Sequence, residues 1–323
     1  VSPTVSVAMG VYNGAPFLRE QVRSIVEQTV PVAELVVGDD GSVDGSLDAI
    51  RAELELAGSA APALVVLPAG PAPLGVTGNF ERILLATTGD AIALADQDDR
   101  WRPDRVAIGL ESLADERVLL AHADGQLIDA AGAPLGSTLF GSIRLRDEEV
   151  ALVDEDRALE VLVRRNIVTG AATMIRPGLV RAATPFPREW VHDEWLAMLA
   201  AATGRMATSR RIAIDYRLHG ANQIGVPRPT LRYRLGRMVE PRGDRLVRIH
   251  ATMTILHDRL RAMGADHGAI ELVRRKVAFE SARIAYPAAR PARPRAVFAN
   301  RAGYPSFSSQ GRVDLLRDVV QPA

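Results

Sequence analysis

Apolar and polar positions change spacing repeatedly along the first hundred residues. Residues 4–9 form a short β-rich run that ends in Gly10-Val11-Tyr12-Asn13-Gly14, after which Leu18, Val22, Ile25 and Val26 repeat at helical spacing. This spacing predicts strand, turn and helix. A second apolar run at 34–38 ends in Asp39-Asp40-Gly41-Ser42, and Ser46 is placed to cap a helix whose apolar positions are Leu47, Ile50 and Leu54. Residues 63–67 read as a third strand, 80–85 fall in a third helix, and 91–95 form a fourth strand running into Asp96-Gln97-Asp98-Asp99. Strand and helix in alternation specify a parallel sheet covered by helices. Open parallel sheets bind ligands outside the carboxyl ends of their strands, so the three polar loops are expected to converge there.

After about residue 115 the elements become mixed. A strand is expected at 118–123, a polar turn through Asp129-Ala130-Ala131-Gly132, a helix at 155–164 and a strand at 171–175. A helix follows over 190–202 with Trp195, Leu196 and Leu199 on one face, and then a β-like run at 212–214. This half should complete the same domain and build its second wall. Farther on, Leu246, Ile249, Met253, Leu256, Leu260 and Met263 alternate spacings of three and four, and Ile270, Val273, Val277 and Ile284 begin another seam after a break at 264–268. The seam is short for a coiled coil, which favours packing within the chain and leaves a homodimer as the alternative. Residues 287–305, with repeated Pro and Arg, read as an extended surface segment. The expected organisation is an α/β nucleotide-binding domain over 1–226 and a basic helical extension over 227–323.

Composition narrows the chemistry. The 323 residues, 47% hydrophobic and 24% charged, have the balance of a folded globular chain. With no cysteine, a disulfide framework, thiolate catalysis and Cys-type zinc sites are excluded, and any metal must sit on oxygen or imidazole ligands. Neither a membrane-spanning apolar run nor a basic-then-apolar leader is present in the sequence, which reads as cytoplasmic. The net charge of zero hides an asymmetry: residues 1–225 carry 20 Arg and Lys against 31 Asp and Glu, while 226–323 carry 19 against 8. A basic tail of this kind suits either an anionic membrane surface, at the inner face of the plasma membrane, or a solvated face over packed helices. It lacks the interleaved aromatics of a nucleic-acid binder.

Several constellations could carry chemistry. Three carboxylates in Asp96-Gln97-Asp98-Asp99 repel one another at a strand end, and a divalent cation bound to diphosphate would neutralise them; the alternative is a solvated acidic turn before a helix. Asp39 and Asp40 offer acceptors for a pyrimidine N3–H or a ribose hydroxyl, or else make an Asp-Gly turn. Tyr12 presents an aromatic face to a base, or simply packs. In His192-Asp193-Glu194-Trp195 a carboxylate stands at a helix N-terminus, which favours its charged form; it is either a general base or an ordinary acidic first turn. Arg217 and His219, in Tyr216-Arg217-Leu218-His219-Gly220-Ala221-Asn222-Gln223, are suited to a diphosphate, with His219 also a metal-ligand candidate; the alternative for His219 is structural.

The ordered set of Ser6-Val7-Ala8-Met9-Gly10-Val11-Tyr12-Asn13-Gly14, Asp39-Asp40-Gly41-Ser42-Val43-Asp44-Gly45-Ser46, Asp96-Gln97-Asp98-Asp99 and His192-Asp193-Glu194-Trp195 resembles the family 2 glycosyltransferases of the GT-A fold. The resemblance spans about 4–226, and Tyr-Arg-x-His-Gly with Asp-Gln-Asp-Asp-x-Trp is similar to bacterial rhamnosyltransferase-type members. It implies that Tyr12, Asn13, Asp39, Asp40 and Asp96 contact the donor nucleotide and that Asp98, with His219, binds Mg²⁺ or Mn²⁺. It implies also that Gly170 leaves room near the donor sugar, that Arg217 and His219 face the diphosphate, and that Asp193 is the catalytic base with Glu194 as its neighbouring competitor. The implied activity is inverting transfer of L-rhamnose from dTDP-L-rhamnose to a hydroxyl of a saccharide or lipid-linked acceptor in cell-surface polysaccharide assembly. UDP-glucose and UDP-galactose are rival donors. A catalytically silent nucleotide-sugar-binding protein is the rival of another class, and the intact Asp98 and Asp193 argue against it. The first strand departs from the commoner apolar-Pro-Thr ending, which bears on base packing.

Overall fold

A central parallel strand is buried on both faces and so favours apolar residues, as in β1 (Val5–Val11), where Ser6 is the one polar side chain. In the computed structural model, which describes residues 3–70, 72–219 and 243–321, β1 turns into α1 (Ala15–Val26). Pro16 lies at the start of α1, where its missing N–H costs nothing, and Leu18, Val22 and Ile25 face the core. The alternation continues as expected through β2 (Glu34–Asp39), α2 (Ser46–Ala57), β3 (Ala63–Val66), α3 (Gly75–Ala86) and β4 (Ala91–Ala95). One expectation needs correcting. Gly45, at φ +84°, holds the cap position of α2, and Ser46 is its first residue. The Ser46 hydroxyl donates to Asp44 and accepts from the Gly14 N–H, so it ties two loops together instead of capping the helix.

Beyond β4 come β5 (Arg100–Trp101), α4 (Arg105–Ser112), β6 (Val118–Ile128), β7 (Pro134–Thr138), α5 (Leu139–Ile143), α6 (Asp147–Asp154), α7 (Ala158–Leu162), β8 (Thr173–Ile175), α8 (Pro177–Ala183), α9 (His192–Thr203) and β9 (Arg205–Arg217). The helix expected over 155–164 is shorter: α6 ends at Asp154, Asp156 takes φ +62°, and only Ala158–Leu162 is helical. The run at 212–214 lies within the second half of a 13-residue strand.

Among the described residues the sheet runs β3-β2-β1-β4-β8-β6-β9-β5, with β7 on β6. Its first four strands are parallel, β8 is antiparallel to both β4 and β6, and β6 is parallel to β9. The pairings Val11 with Asp39 and Met9 with Ala95 level the carboxyl ends of β1, β2 and β4. At the far edge, Arg100 and Trp101 of β5 pair with Asp215 and Ile214 of β9. Residues 96–99 are thereby fixed by strands at both ends.

The chain divides into two compact units, Val1–Asp156 with Ile167–Val226, and Arg157–Asn166 with Pro227–Ala323. The boundary expected at 226/227 lies outside the described residues, and 157–166 group with the second unit. That unit contains α10 (Gly243–Met263) and α11 (His267–Ile284), which pack on each other, then α12 (Arg293–Ala299), α13 (Tyr304–Phe307) and α14 (Arg312–Val320). Leu246, Met253, Leu256 and Leu260 bury the seam of α10, and the Asp266 carboxylate caps α11 by accepting from Gly268 and Ala269 N–H. Residues 287–305 are not extended. Pro291, Pro294 and Pro305 each stand in the first turn of a short helical piece, where proline is tolerated, and the buried Arg293 donates to the carbonyls of Pro287, Ala288 and Gln321. No helix among the described residues is long and apolar enough to cross a membrane.

Candidate active site

The carboxylates of Asp96, Asp98 and Asp99 bring oxygens within 4.8 Å of one another. Asp98 and Asp99 are 9% and 1% exposed, which excludes the solvated-turn alternative. Burial first, then Asp98 and Asp193, push the Asp96 carboxyl up to about 7; burial, Asp98 and Asp96 likewise raise Asp99. Asp99 Oδ1 accepts from the Arg217 N–H at 2.9 Å, while its buried Oδ2 has no hydrogen-bond partner among the described residues. Crowded acids with an unsatisfied oxygen are what a hard divalent cation complements. His219 joins them: its Nε2 lies 2.7 Å from Asp98 Oδ2, and its ring stacks on Phe17 at 4.6 Å.

Arg217 is placed differently from the expectation that it faces a diphosphate. Only 2% exposed, it donates from Nε to the Asp98 carbonyl (2.8 Å), from Nη1 to Ala130 O (3.1 Å) and from Nη2 to Glu20 Oε2 (2.5 Å). Glu20 also receives Arg100 Nη1 at 2.9 Å. Arg217 thus lies beneath the acidic loop and fixes its backbone, because the β5–β9 pairing carries the end of β9 under residues 98–99. Groups that orient metal-binding loops typically tune affinity about 10- to 100-fold. Arg217→Gln is expected to weaken Mn²⁺ binding within that range by calorimetry, and unchanged binding would return Arg217 to a purely structural part.

The loops after β1 and β2 are interlocked with this one. Tyr12 leaves its ring about half exposed, while its backbone N–H and C=O are clamped by Gln97 Oε1 (2.8 Å) and Nε2 (3.0 Å). Nothing in the sequence pattern singles out Gln97. Its nearest signal is Gly14, where an added Cβ would collide with the Gln97 side chain. Asn13, at φ +49°, donates its N–H to Ser42 Oγ and accepts from Val43 N–H on Oδ1. Asp39 Oδ1 accepts from the Ser42 N–H and hydroxyl, an Asp-Gly turn, and its carbonyl accepts from Arg82. Asp40 receives the N–H of Leu74 and of Gly75, one on each oxygen at 2.8 Å, at the start of α3. Each oxygen keeps a second lone pair.

Asp193, in the first turn of α9, accepts from Gly170 N–H on Oδ2 (2.8 Å) and from Glu194 N–H on Oδ1 (2.7 Å). Gly170 opens the turn before β8, the strand beside β4, so the second half of the domain reaches the acidic loop through this turn. An added Cβ at Gly170 would meet His192 Nε2 at 3.1 Å and Asp193 Cβ at 3.2 Å. The absence of a side chain therefore lets the backbone hold Asp193. His192, which sequence reasoning left without a role, stacks on Phe80 at 3.8 Å with both ring nitrogens buried and unpartnered among the described residues, and burial lowers its pKa. Burial, then Asp96, Asp99, Asp98 and Asp193 in falling order, all push the Tyr216 phenol up. One buried group thus feels both sets of acids, and all ten residues singled out from sequence lie in the first unit.

A family model for glycosyl transferase family 2 matches residues 6–137. An uncharacterized glycosyltransferase, alr2836, from Nostoc sp. is 27% identical over 226 residues, covering 68% of this chain and 66% of that protein. The dTDP-rhamnosyl transferase RfbG of Shigella flexneri is 31% identical over 109 residues, 32% of this chain and 36% of its own length. The chain spans about half the length of the curated relatives it matches. In fold it is similar to Staphylococcus aureus TarS in complex with UDP-GlcNAc, with TM-score 0.59, 13% identity, and 98% and 88% of the two chains covered. It is also similar to the mannosyltransferase PcManGT from Pyrobaculum calidifontis in complex with GDP-Man and Mn²⁺, with TM-score 0.56, 19% identity, and 98% and 79% covered.

Proposed function

Because this chain belongs to the family 2 glycosyltransferases of the GT-A fold, we propose that it carries out inverting sugar transfer from a nucleoside-diphosphate donor, with Asp193 as the general base. The observation that supports the reading is that Asp193 is held by Gly170, at the turn into β8, the strand beside β4 whose end carries the clustered Asp96, Asp98 and Asp99. Donor-side roles fall to the interlocked loops. Tyr12 offers its ring to the base, Asn13 and Asp39 shape the turn beside it, and the spare lone pairs of Asp40 and Asp96 accept from base and ribose. Asp98 and His219 would hold the cation, Mg²⁺ or Mn²⁺, whose charge would stabilise the departing diphosphate. Arg217 acts on that diphosphate only through the loop it fixes.

In the reacting complex Asp193 takes the proton of the acceptor hydroxyl. The acceptor oxygen forms a bond to the anomeric carbon as the bond to the diphosphate oxygen breaks, and its electron pair leaves with the diphosphate. Gly170 and Glu194 N–H fix the orientation of the carboxylate, which limits what an acceptor hydroxyl must find on binding. The donor is dTDP-L-rhamnose and the acceptor a saccharide or lipid-linked hydroxyl. This donor choice draws on the local likeness to RfbG, named for dTDP-rhamnosyl transfer, together with the Tyr216-Arg217-Leu218-His219 motif; Gly220 to Gln223 of that motif lie outside the described residues.

A panel of dTDP-L-rhamnose, UDP-glucose, UDP-galactose and GDP-mannose with Mn²⁺, read by calorimetry and by product anomer in NMR, tests both parts. Tightest binding and an inverted rhamnoside are expected. A UDP-hexose product would replace the donor assignment, a retained anomer would end the single-displacement mechanism, and binding without turnover on any acceptor would favour a silent binding protein.

A further inference from the structure

In α14 the polar side faces inward and the apolar side outward. Asp314, Arg317, Asp318 and Gln321 follow one another at spacings of three, one and three, and all four are buried. Val313, Leu316 and Val320, on the other side, are 55%, 63% and 47% exposed. A surface helix ordinarily does the reverse. The carboxylates of the buried side are paired: Asp318 accepts from Arg283 at 2.7 and 3.0 Å and from the Tyr304 hydroxyl at 2.6 Å, and Asp314 accepts from Arg317 at 2.6 Å and from the Gln310 N–H at 2.9 Å. Rolling the helix to hide its leucine and valines would expose these pairs and take Asp318 away from Arg283, which would keep only Glu280, and that is unfavourable for buried charges. The outward apolar stripe is therefore fixed in place. Phe298, on α12, which packs on α14, is also 53% exposed.

The exposed charges in the sequence around the stripe are of one sign. Across residues 285–321 the exposed charged side chains are Arg290, Arg295, Arg301 and Arg312, and both acids of that stretch, Asp314 and Asp318, are the buried ones. We propose that this face of the second unit docks on the surface of an anionic lipid bilayer, with Val313, Leu316, Val320 and Phe298 entering the headgroup boundary and the arginines facing lipid phosphates. An apolar strip flanked by arginine is the pattern of interfacial binding. Two other occupants suit it less. A symmetric contact with a second copy would set the arginines of one face against those of the same face, and nucleic acid offers nothing to an aliphatic stripe. The inference is independent of the donor and of the role of Asp193.

The test is flotation of the full chain with phosphatidylcholine vesicles, with and without phosphatidylglycerol, at low and moderate salt. The chain should float with the anionic vesicles and not with the neutral ones, and salt should weaken the binding. Two variants, Val313→Ser/Leu316→Ser/Val320→Ser and Arg290→Gln/Arg295→Gln/Arg301→Gln/Arg312→Gln, should each lower partitioning roughly tenfold or more. Circular dichroism should be unchanged, since the replaced side chains are exposed and none belongs to the buried pairs. The single Leu316→Ser substitution serves if the triple one misfolds, with a smaller loss in the same direction. Failure of the unaltered chain to float with anionic vesicles, or serine variants that float as well as it does, would overturn the proposal. So would a lipid-free dimer that the serine substitutions dissociate.

Discussion

Asp193→Asn is expected to lower turnover by about 10²- to 10⁴-fold, the span that a general base contributes, with donor affinity nearly unchanged. The reason is where each group is rooted. Tyr12, Asp40 and Asp96 stand on loops after β1, β2 and β4, whereas Asp193 stands on α9 and is tied to Gly170 before β8. Asparagine fills the same volume but carries no base, and its amide nitrogen faces an N–H from either Gly170 or Glu194, so one of two hydrogen bonds is lost. Donor titration by calorimetry and initial rates under saturating donor separate the effects. Equal losses in binding and rate would remove the base role from Asp193. Glu194→Gln is the companion measurement, because a larger fall there would transfer the role to its neighbour.

Much of the fold was legible because burial on both sheet faces leaves little freedom. The run Ala91–Ala95 is apolar and bounded by polar residues, and β4 has the bounds expected of it. The edges were less legible. Only residues 212–214 of β9 read as a strand, since Arg205, Thr208, Ser209, Arg210 and Arg211 interrupt the pattern before them. Its true length, and the pairing with β5 that follows, decide where Arg217 points. An arginine beside a histidine in a glycine loop looks like an anion site by type alone. Its burial under Asp98 and contact with Glu20 depend on residues nearly two hundred positions apart.

The same limit applies to the side chains that assemble the site. Acids were found from sequence because like charges at strand ends are costly without a purpose, so their clustering is itself a signal. Gln97, Phe80 and His192 carry no such cost and left no pattern, although Gln97 locks two loops and Phe80 stacks on His192. In the tail, proline and arginine suggested an extended segment. The prolines instead begin helical pieces, and Arg293 became a buried hub for three carbonyls, an outcome set by tertiary burial.

Asp98→Asn should separate cation binding from folding, with effects of opposite sign. Asp98 is a cause of the raised pKa at both Asp96 and Asp99, so removing its charge relieves the half-buried Asp96 and the buried Asp99. Without added metal, thermal unfolding of the variant should therefore come at the same Tm or higher. Asparagine can still meet His219 Nε2 through its oxygen, which preserves the local packing at Phe17. The attraction for a divalent ion loses its central charge, and Mn²⁺-dependent donor binding should fall by about a hundredfold or more, beyond what a supporting group contributes. The rise in Tm that Mn²⁺ produces in the unaltered chain, by binding the folded state alone, should shrink in step. A variant that is less stable without metal yet titrates Mn²⁺ as before would mean that Asp98 serves the loop and that the ion sits elsewhere.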